Sequence, residues 1–258
     1  MKDIHNHILY DIDDGSTSYQ KSIEILNNLK QRGVTDIVAT PHYIIGTNYN
    51  SDNKKKIELL NNLKKATDIN LYIGNEVYLD NNIIDYIKDK KISTINNSRY
   101  LLIELPLNEK MECANDIIFE LRNNGIVPIL AHPERYHYLT IDDFKKFIDQ
   151  GCLLQGNITS LIGKYGKNAC NNLKLLLKKR MIHVLGTDTH LTSNFNLDRC
   201  LKILKKIVDE DIYLDLLERN FDKIINDEKI ISYEIIDKKH WFKKENNYEV
   251  RRIQSRRI

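Results

Sequence analysis

Seven short apolar runs, at 3–8, 36–39, 70–74, 100–105, 127–131, 152–155 and 182–186, are separated by longer amphipathic stretches. Those stretches predict helices near 18–31, 51–66, 80–88, 112–123, 140–149, 168–179 and 196–208, with another near 211–219. Strand runs spaced by helices predict parallel pairing, because each helix carries the chain back to start the next strand in the same direction. The pattern allows a barrel or an open sheet. Ile23, Leu26 and Leu29 recur at helical spacing and Gly33 marks the end of that helix, while Leu173, Leu176 and Leu177 form a similar stripe. The signals weaken from about residue 221, and 232–258 reads as an appendage.

Length and composition narrow the class. The chain has 258 residues, 41% hydrophobic and 29% charged, which fits a globular protein with a substantial core. Its net charge of +3 comes from the end of the chain: residues 232–258 hold eight Lys/Arg and four Asp/Glu, leaving 31 basic and 32 acidic residues elsewhere. A near-neutral body gives no electrostatic footprint for nucleic acid. No apolar run reaches the roughly 20 residues that span a bilayer. With a candidate site residue as early as His5, no cleavable signal peptide is expected. The four cysteines, Cys113, Cys152, Cys170 and Cys200, form no close pair and read as buried free thiols.

The chemistry lies where imidazoles and carboxylates fall relative to the strands. His5 and His7 are two apart on the first strand, and period-two geometry puts both rings on one face. His42 follows the second strand and Glu76 the third, and Glu104 ends the fourth. His132 follows the fifth, and Asp188 and His190 the seventh. In parallel α/β folds the carboxyl ends of strands share one rim, where ligands bind. These eight side chains are therefore expected to meet. Asp14, in the loop Asp11-Ile12-Asp13-Asp14-Gly15, makes a ninth candidate; the alternative is that Asp13 and Asp14 serve as turn formers before Ser16-Thr17-Ser18.

A thiolate-free set of imidazoles and carboxylates suits borderline-hard divalent ions: manganese, iron or zinc. Nine ligands exceed what one ion takes, so two or three ions are expected, with Glu104 as the bridge. Such a cluster activates water and clamps phosphoryl oxygens. Arg135, three residues past His132, is placed to bind phosphate, the alternative being a salt bridge with Glu134 or Asp142. His42 is expected to assist the leaving group. His137, His183 and His240 read as structural or solvated. The cysteines sit in no Cys-x5-Arg loop and no Gly-rich phosphate loop occurs, which disfavours thiol chemistry and nucleotide use.

The ordered motifs resemble the polymerase-and-histidinol-phosphatase (PHP) superfamily. Within it they are similar to the bacterial manganese-dependent protein-tyrosine phosphatases of capsule and exopolysaccharide operons. The resemblance rests on Asp3-Ile4-His5-Asn6-His7-Ile8, Thr40-Pro41-His42, Gly74-Asn75-Glu76-Val77-Tyr78, Leu102-Ile103-Glu104, Ala131-His132-Pro133-Glu134-Arg135-Tyr136 and Thr187-Asp188-Thr189-His190. It covers about residues 1–225, leaving 226–258 as a basic appendage.

The resemblance implies a distorted (β/α)7 barrel with His5, His7, Asp14, His42, Glu76, Glu104, His132, Asp188 and His190 as ligands of a trinuclear site. Arg135 would contact phosphate. The implied substrate is phosphotyrosine on the tyrosine-rich tail of a membrane-associated autokinase, met by a cytoplasmic enzyme that reaches the membrane through that kinase. A second substrate-binding arginine is expected about five residues after the last ligand, but 191–195 holds none, so Arg199 is the candidate. The rival readings are a small-molecule phosphatase such as histidinol-phosphate phosphatase, a polymerase-associated exonuclease, and a catalytically dead regulator.

Overall fold

The computed structural model describes residues 1–191 and 195–236. Its strands are β1 (Lys2–Asn6), β2 (Asp36–Ala39), β3 (His42–Tyr43), β4 (Asn70–Ile73), β5 (Glu76–Tyr78), β6 (Tyr100–Glu104), β7 (Val127–Ala131), β8 (Leu153–Asn157) and β9 (Val184–Gly186). Helices α1 (Tyr19–Gln31), α2 (Asn53–Lys64), α3 (Ile83–Lys88), α4 (Ala114–Asn123), α5 (Ile141–Asp149), α6 (Gly166–Lys178) and α7 (Leu197–Leu204) lie between or after them. Local caps set the starts: Ser18 accepts from the Lys21 N–H, Asp52 from Lys55, and Thr140 and Asp143 form a reciprocal capping box.

Every strand pairing among the described residues is parallel. The order is β1-β2-β4 in one sheet and β3-β5-β6-β7-β8-β9 in the other, and a bridge from Asn6 to Thr189 joins the first strand to the segment after the last. β3 and β5 were not expected; their residues read as loop. Each continues an earlier strand after a two-residue corner, Thr40-Pro41 or Gly74-Asn75. Pro41 has no N–H, so the ladder cannot run straight through it. Counting β2 with β3 and β4 with β5 gives seven staves, and the expected distorted (β/α)7 barrel is the observed fold.

Ile4, Val38, Leu102, Ile129, Leu153 and Val184 fill the barrel interior, and the larger apolar layer lies between staves and helices. The β1–β2 register slips between Asp3 and Asn6. That bulge lets Ile4 join the interior while His5 also turns inward, a use of bulges common beside active sites.

The chain beyond α7 runs through α8 (Glu210–Leu214), a π-helical turn (Asp215–Arg219) and α9 (Asn220–Ile225). The π turn breaks the 3.6 period, so the apolar stripe that continues through Phe221 and Ile224 was hidden in the sequence. Phe221, Ile224 and Ile230 cover the lower end of the barrel. There the Tyr100 hydroxyl donates to the Glu228 carbonyl and accepts from the Ile230 N–H. Residues 226–236 thus lie against the body of the barrel, while 237–258 fall outside the described residues.

Candidate metal centre

The two histidines of the first stave arrive with their outer nitrogens already occupied. His5 Nδ1 lies 2.9 Å from Gln155 Oε1 and His7 Nδ1 lies 2.8 Å from Asp13 Oδ2, while their Nε2 atoms sit 3.1 Å apart. A partner on Nδ1 fixes each ring and leaves Nε2 for a metal. Asp13 also accepts the N–H groups of His42 and Gly15, so it ties three parts of the site together. Gly15 is required where it stands: a Cβ there would lie 2.3 Å from the His7 carbonyl oxygen.

Glu76, at the start of β5, occupies the middle. Its Oε2 lies 3.1 Å from His5 Nε2, 3.3 Å from His7 Nε2 and 3.1 Å from His42 Nδ1, and its Oε1 lies 3.0 Å from His132 Nε2. Glu104 reaches only His132 (3.4 Å) and His42 (3.8 Å). Asp188 Oδ1 lies 3.4–3.6 Å from His190, His5 and His7, and Asp14 Oδ1 lies 3.3–3.5 Å from His190 and His42. The structure therefore brings all nine expected side chains together. Only Asp14 and His190 open appreciably to solvent, at 48% and 27% side-chain exposure.

The donor atoms form three overlapping groups within 4.8 Å: His7, Asp14, His42 and His190; His5, His7 and Glu76; and His42, Glu76 and Glu104. Glu76 is the carboxylate common to two of them. Glu104, expected to bridge, stands at the far end of β6 beside two imidazoles, whereas β5 sets Glu76 between four. The set fits divalent metal. His42 Nδ1, although 3.1 Å from Glu76, makes no hydrogen bond, so the pair is spaced for a shared cation and misaligned for a proton.

The electrostatics agree. Burial opposes charge on His132, yet Glu104 and Glu76 outweigh it and lift its pKa to about 10. His5 and His7 are raised against the same burial, His5 chiefly by Glu76 and Asp188 and His7 chiefly by Asp13. Burial pushes against ionisation of Asp14 and Glu76 too, but His190 brings Asp14 to about 2, and the imidazoles hold Glu76 well below the carboxylate range. Protons here stand in for the positive charge that a metal provides.

Above the cluster a cleft of about 720 Å³ opens between apolar and cationic walls. Ile44, Tyr49, Tyr78, Leu107 and Leu191 line it beside the polar floor, and Arg135, Lys164 and Tyr165 line it as well. His132 has a left-handed backbone (φ 34°) that leads into the 3₁₀ turn Pro133–Arg135. The turn sends Glu134 inward, where it accepts from Ser160 Oγ and the Asn157 N–H, and leaves Arg135 facing the cleft. Arg135 thus forms no salt bridge with Glu134 or Asp142. Its Nη1 lies 3.5 Å from Asp188 Oδ2.

Arg199 is not brought to the cleft. It is exposed in the first turn of α7, its backbone N–H on Asn196 Oδ1. The segment searched for a second arginine, 191–195, falls partly outside the described residues. Sequence reading missed Asp13, Gln155, Lys164 and Tyr165; the available signal was Gly163-Lys164-Tyr165-Gly166, a charged and aromatic pair between two glycines. His137 is exposed, and His183 is structural: Nδ1 accepts from the Leu154 N–H, and burial lowers its pKa to about 4. His240 lies outside the described residues. All four cysteines are free, with Cys152 and Cys200 buried and Cys113 and Cys170 only partly so.

A sequence profile described as "Capsular polysaccharide synthesis, CpsB/CapC" matches residues 1–226. The chain belongs to the CpsB/CapC family. Among relatives in this family, CapC of Staphylococcus aureus is 39% identical over 201 residues, covering 75% of this chain and 78% of that protein. The tyrosine-protein phosphatase YwqE of Bacillus subtilis is 28% identical over 214 residues, covering 80% and 84%. A crystal structure from the work on YwqE and on CpsB of Streptococcus pneumoniae matches with a TM-score of 0.82 at 24% identity, across 92% of this chain and all of that one. Histidinol phosphate phosphatase of Lactococcus lactis shares the fold more distantly, with a TM-score of 0.55 at 13% identity, across 80% and 92% of the two chains. No helix among the described residues of this CpsB/CapC member is long and apolar enough to cross a membrane.

Proposed function

We propose that this chain removes phosphate from tyrosine on the tail of a membrane-associated bacterial autokinase that governs capsule or exopolysaccharide synthesis. It is a metal-dependent tyrosine-protein phosphatase, acting in the cytoplasm and meeting the membrane through that kinase. The observation that carries the reading is the meeting of nine metal-type side chains, centred on Glu76, beneath a cleft whose walls suit an aromatic ester. Residues 1–225 carry the catalytic machinery, 226–236 pack beneath the barrel, and the basic residues from Lys238 onward serve solubility.

His5, His7, Asp14, His42, Glu76, Glu104, His132, Asp188 and His190 hold two or three divalent ions, manganese foremost, with iron and zinc chemically able to replace it. Bound there, the ions supply Lewis acidity that lowers the pKa of water and neutralises phosphoryl oxygens. Arg135 binds the phosphoryl group and turns its phosphorus toward the floor. Tyr49, Tyr78 and Leu107 receive the tyrosine ring. Attack by water in line with the ester oxygen breaks the P–O bond, and the electron pair leaves on the phenolate, whose pKa near 10 demands little acid help. The protons of the attacking water stay with the released phosphate and the phenolate takes its proton from solvent, while His42, whose two ring nitrogens face Glu76 and Asp14, serves as a ligand.

The rivals separate in one assay. A manganese-loaded preparation should turn over a phosphotyrosine peptide and leave histidinol phosphate almost untouched. A peptide that stays intact while histidinol phosphate is hydrolysed would reverse the substrate assignment. Metal binding without turnover of either would make the chain a regulator. In labelled water a single turnover should place one solvent oxygen in the released phosphate, and a trapped phosphorylated residue would contradict direct attack.

A further inference from the structure

The cleft wall between β8 and β9 carries a cation that the ligand set does not use. Gly163 (φ 88°) ends the 3₁₀ turn Ile158–Ile162 in a left-handed conformation, and the next two residues, Lys164 and Tyr165, line the cleft. Tyr165 donates its hydroxyl to Asp188 Oδ2 at 2.9 Å, which anchors the ring. Asn157 Nδ2 donates to the same oxygen at 2.7 Å.

That ring spaces two positive charges. The Arg135 guanidinium carbon lies 4.7 Å from its centroid and the Lys164 Nζ lies 5.0 Å from it. Both distances are within cation–π range. Among the described residues, Asp188 is the one carboxylate beside both charges, and they share it. Lys164 donates to the Asp188 backbone carbonyl at 3.1 Å, and Arg135 reaches Asp188 Oδ2 only at 3.5 Å, an oxygen already served by two neutral donors. Two cations held against one ring repel unless an anion joins them, and a tetrahedral oxyanion accepts from both at once.

We infer that Lys164 is the second phosphoryl-contacting cation, paired with Arg135 across the ring of Tyr165, in the role that Arg199 was expected to fill. The inference rests on the phosphatase reading, since it supposes a phosphoryl group in the cleft. Tyr165 is a positioning residue that sets the separation of the two charges. Lys164, a compact charge on a flexible stem, binds one nonbridging oxygen while Arg135 offers its planar fork to the others.

The test uses the full-length, manganese-loaded chain and inorganic phosphate as probe, with calorimetric affinity, metal content and peptide turnover measured in parallel. Lys164→Met should weaken phosphate binding about 10- to 100-fold, the range for one charge-assisted hydrogen bond, and raise KM more than it lowers kcat. Metal content should stay at the wild-type level, Lys164→Arg should recover most of the affinity, and Arg199→Met should match wild type. Unchanged phosphate binding in Lys164→Met, lost metal in that variant, or weakened binding in Arg199→Met would each overturn the assignment. If wild type fails to hydrolyse the peptide while phosphate affinity still depends on Lys164, the substrate reading fails and the anion clamp stands.

Discussion

Replacing Lys56 by Met should stabilise the protein at pH 6 and do little at pH 9. Lys56 lies on α2 at 0% exposure, where its ammonium donates to Asn75 Oδ1 and Ser93 Oγ and to no carboxylate. Burial lowers its pKa from 10.5 to about 7, and Asp52, the α2 N-cap, offsets this only in part. At about 1.4 kcal/mol per pH unit, that gap is worth roughly 5 kcal/mol against the charged form. Between those two values the folded protein binds fewer protons than the unfolded chain, so this lysine's cost is full below pH 7 and fades as pH rises toward 10.5. From pH 6 to pH 9 the cost shrinks by about 2.5 kcal/mol. Met abolishes it and gives up two hydrogen bonds at roughly 1 kcal/mol each. No partner is orphaned: Asn75 Oδ1 keeps the Ser93 N–H at 2.9 Å, and Ser93 Oγ keeps Asn53 Oδ1 at 2.7 Å. The variant should therefore gain about 3 kcal/mol at pH 6 and almost nothing at pH 9. Urea unfolding of chelator-treated wild type and variant at both pH values reads the difference, with metal linkage removed. An advantage equal at the two pH values, or a variant weaker at pH 6, would refute the reasoning.

Other outcomes follow from the site. Glu76→Gln should cost more bound metal than Glu104→Gln, because Glu76 meets four imidazoles and Glu104 two; elemental analysis showing the reverse order would restore Glu104 as the bridge. Asp13→Asn should weaken metal binding about 10- to 100-fold by removing the carboxylate behind His7, measured by competition with a chelating dye. Affinity for metal should strengthen from pH 6 to pH 8, because burial fails to keep His132 neutral against Glu104 and Glu76, and its proton must leave before metal enters. The same dye competition gives the slope, about tenfold per pH unit for each proton released. Arg135→Ala should cut turnover with metal content unchanged, and lost metal would make that arginine structural.

What the sequence disclosed and what it hid have a common cause. Most of the candidate ligands were legible because they end or follow an apolar run, and parallel staves place such positions on one rim. His5 and His7 were legible from period two alone. The half-staves β3 and β5 were not, being two and three residues long, yet they carry His42 and Glu76 and decide which carboxylate is central. Distance along a strand does not reveal reach across a barrel, which is why Glu104 looked like the bridge. Gln155, Lys164 and Tyr165 act through contacts with residues remote in sequence, with only the flanking Gly163 and Gly166 as a local mark of the last two, and Asp13 read as a turn former because its hold on His7 needs the folded loop. Arg199 was a guess from spacing, and the α7 N-terminus turns it to solvent.

Anomalous diffraction from crystals of the manganese-loaded protein tests the shared-ion centre most directly. Two or three peaks about 3.5–4 Å apart, with Glu76 touching at least two of them, are the expected result. A single isolated peak, or ions bound away from His5, Glu76 and Asp188, would contradict it.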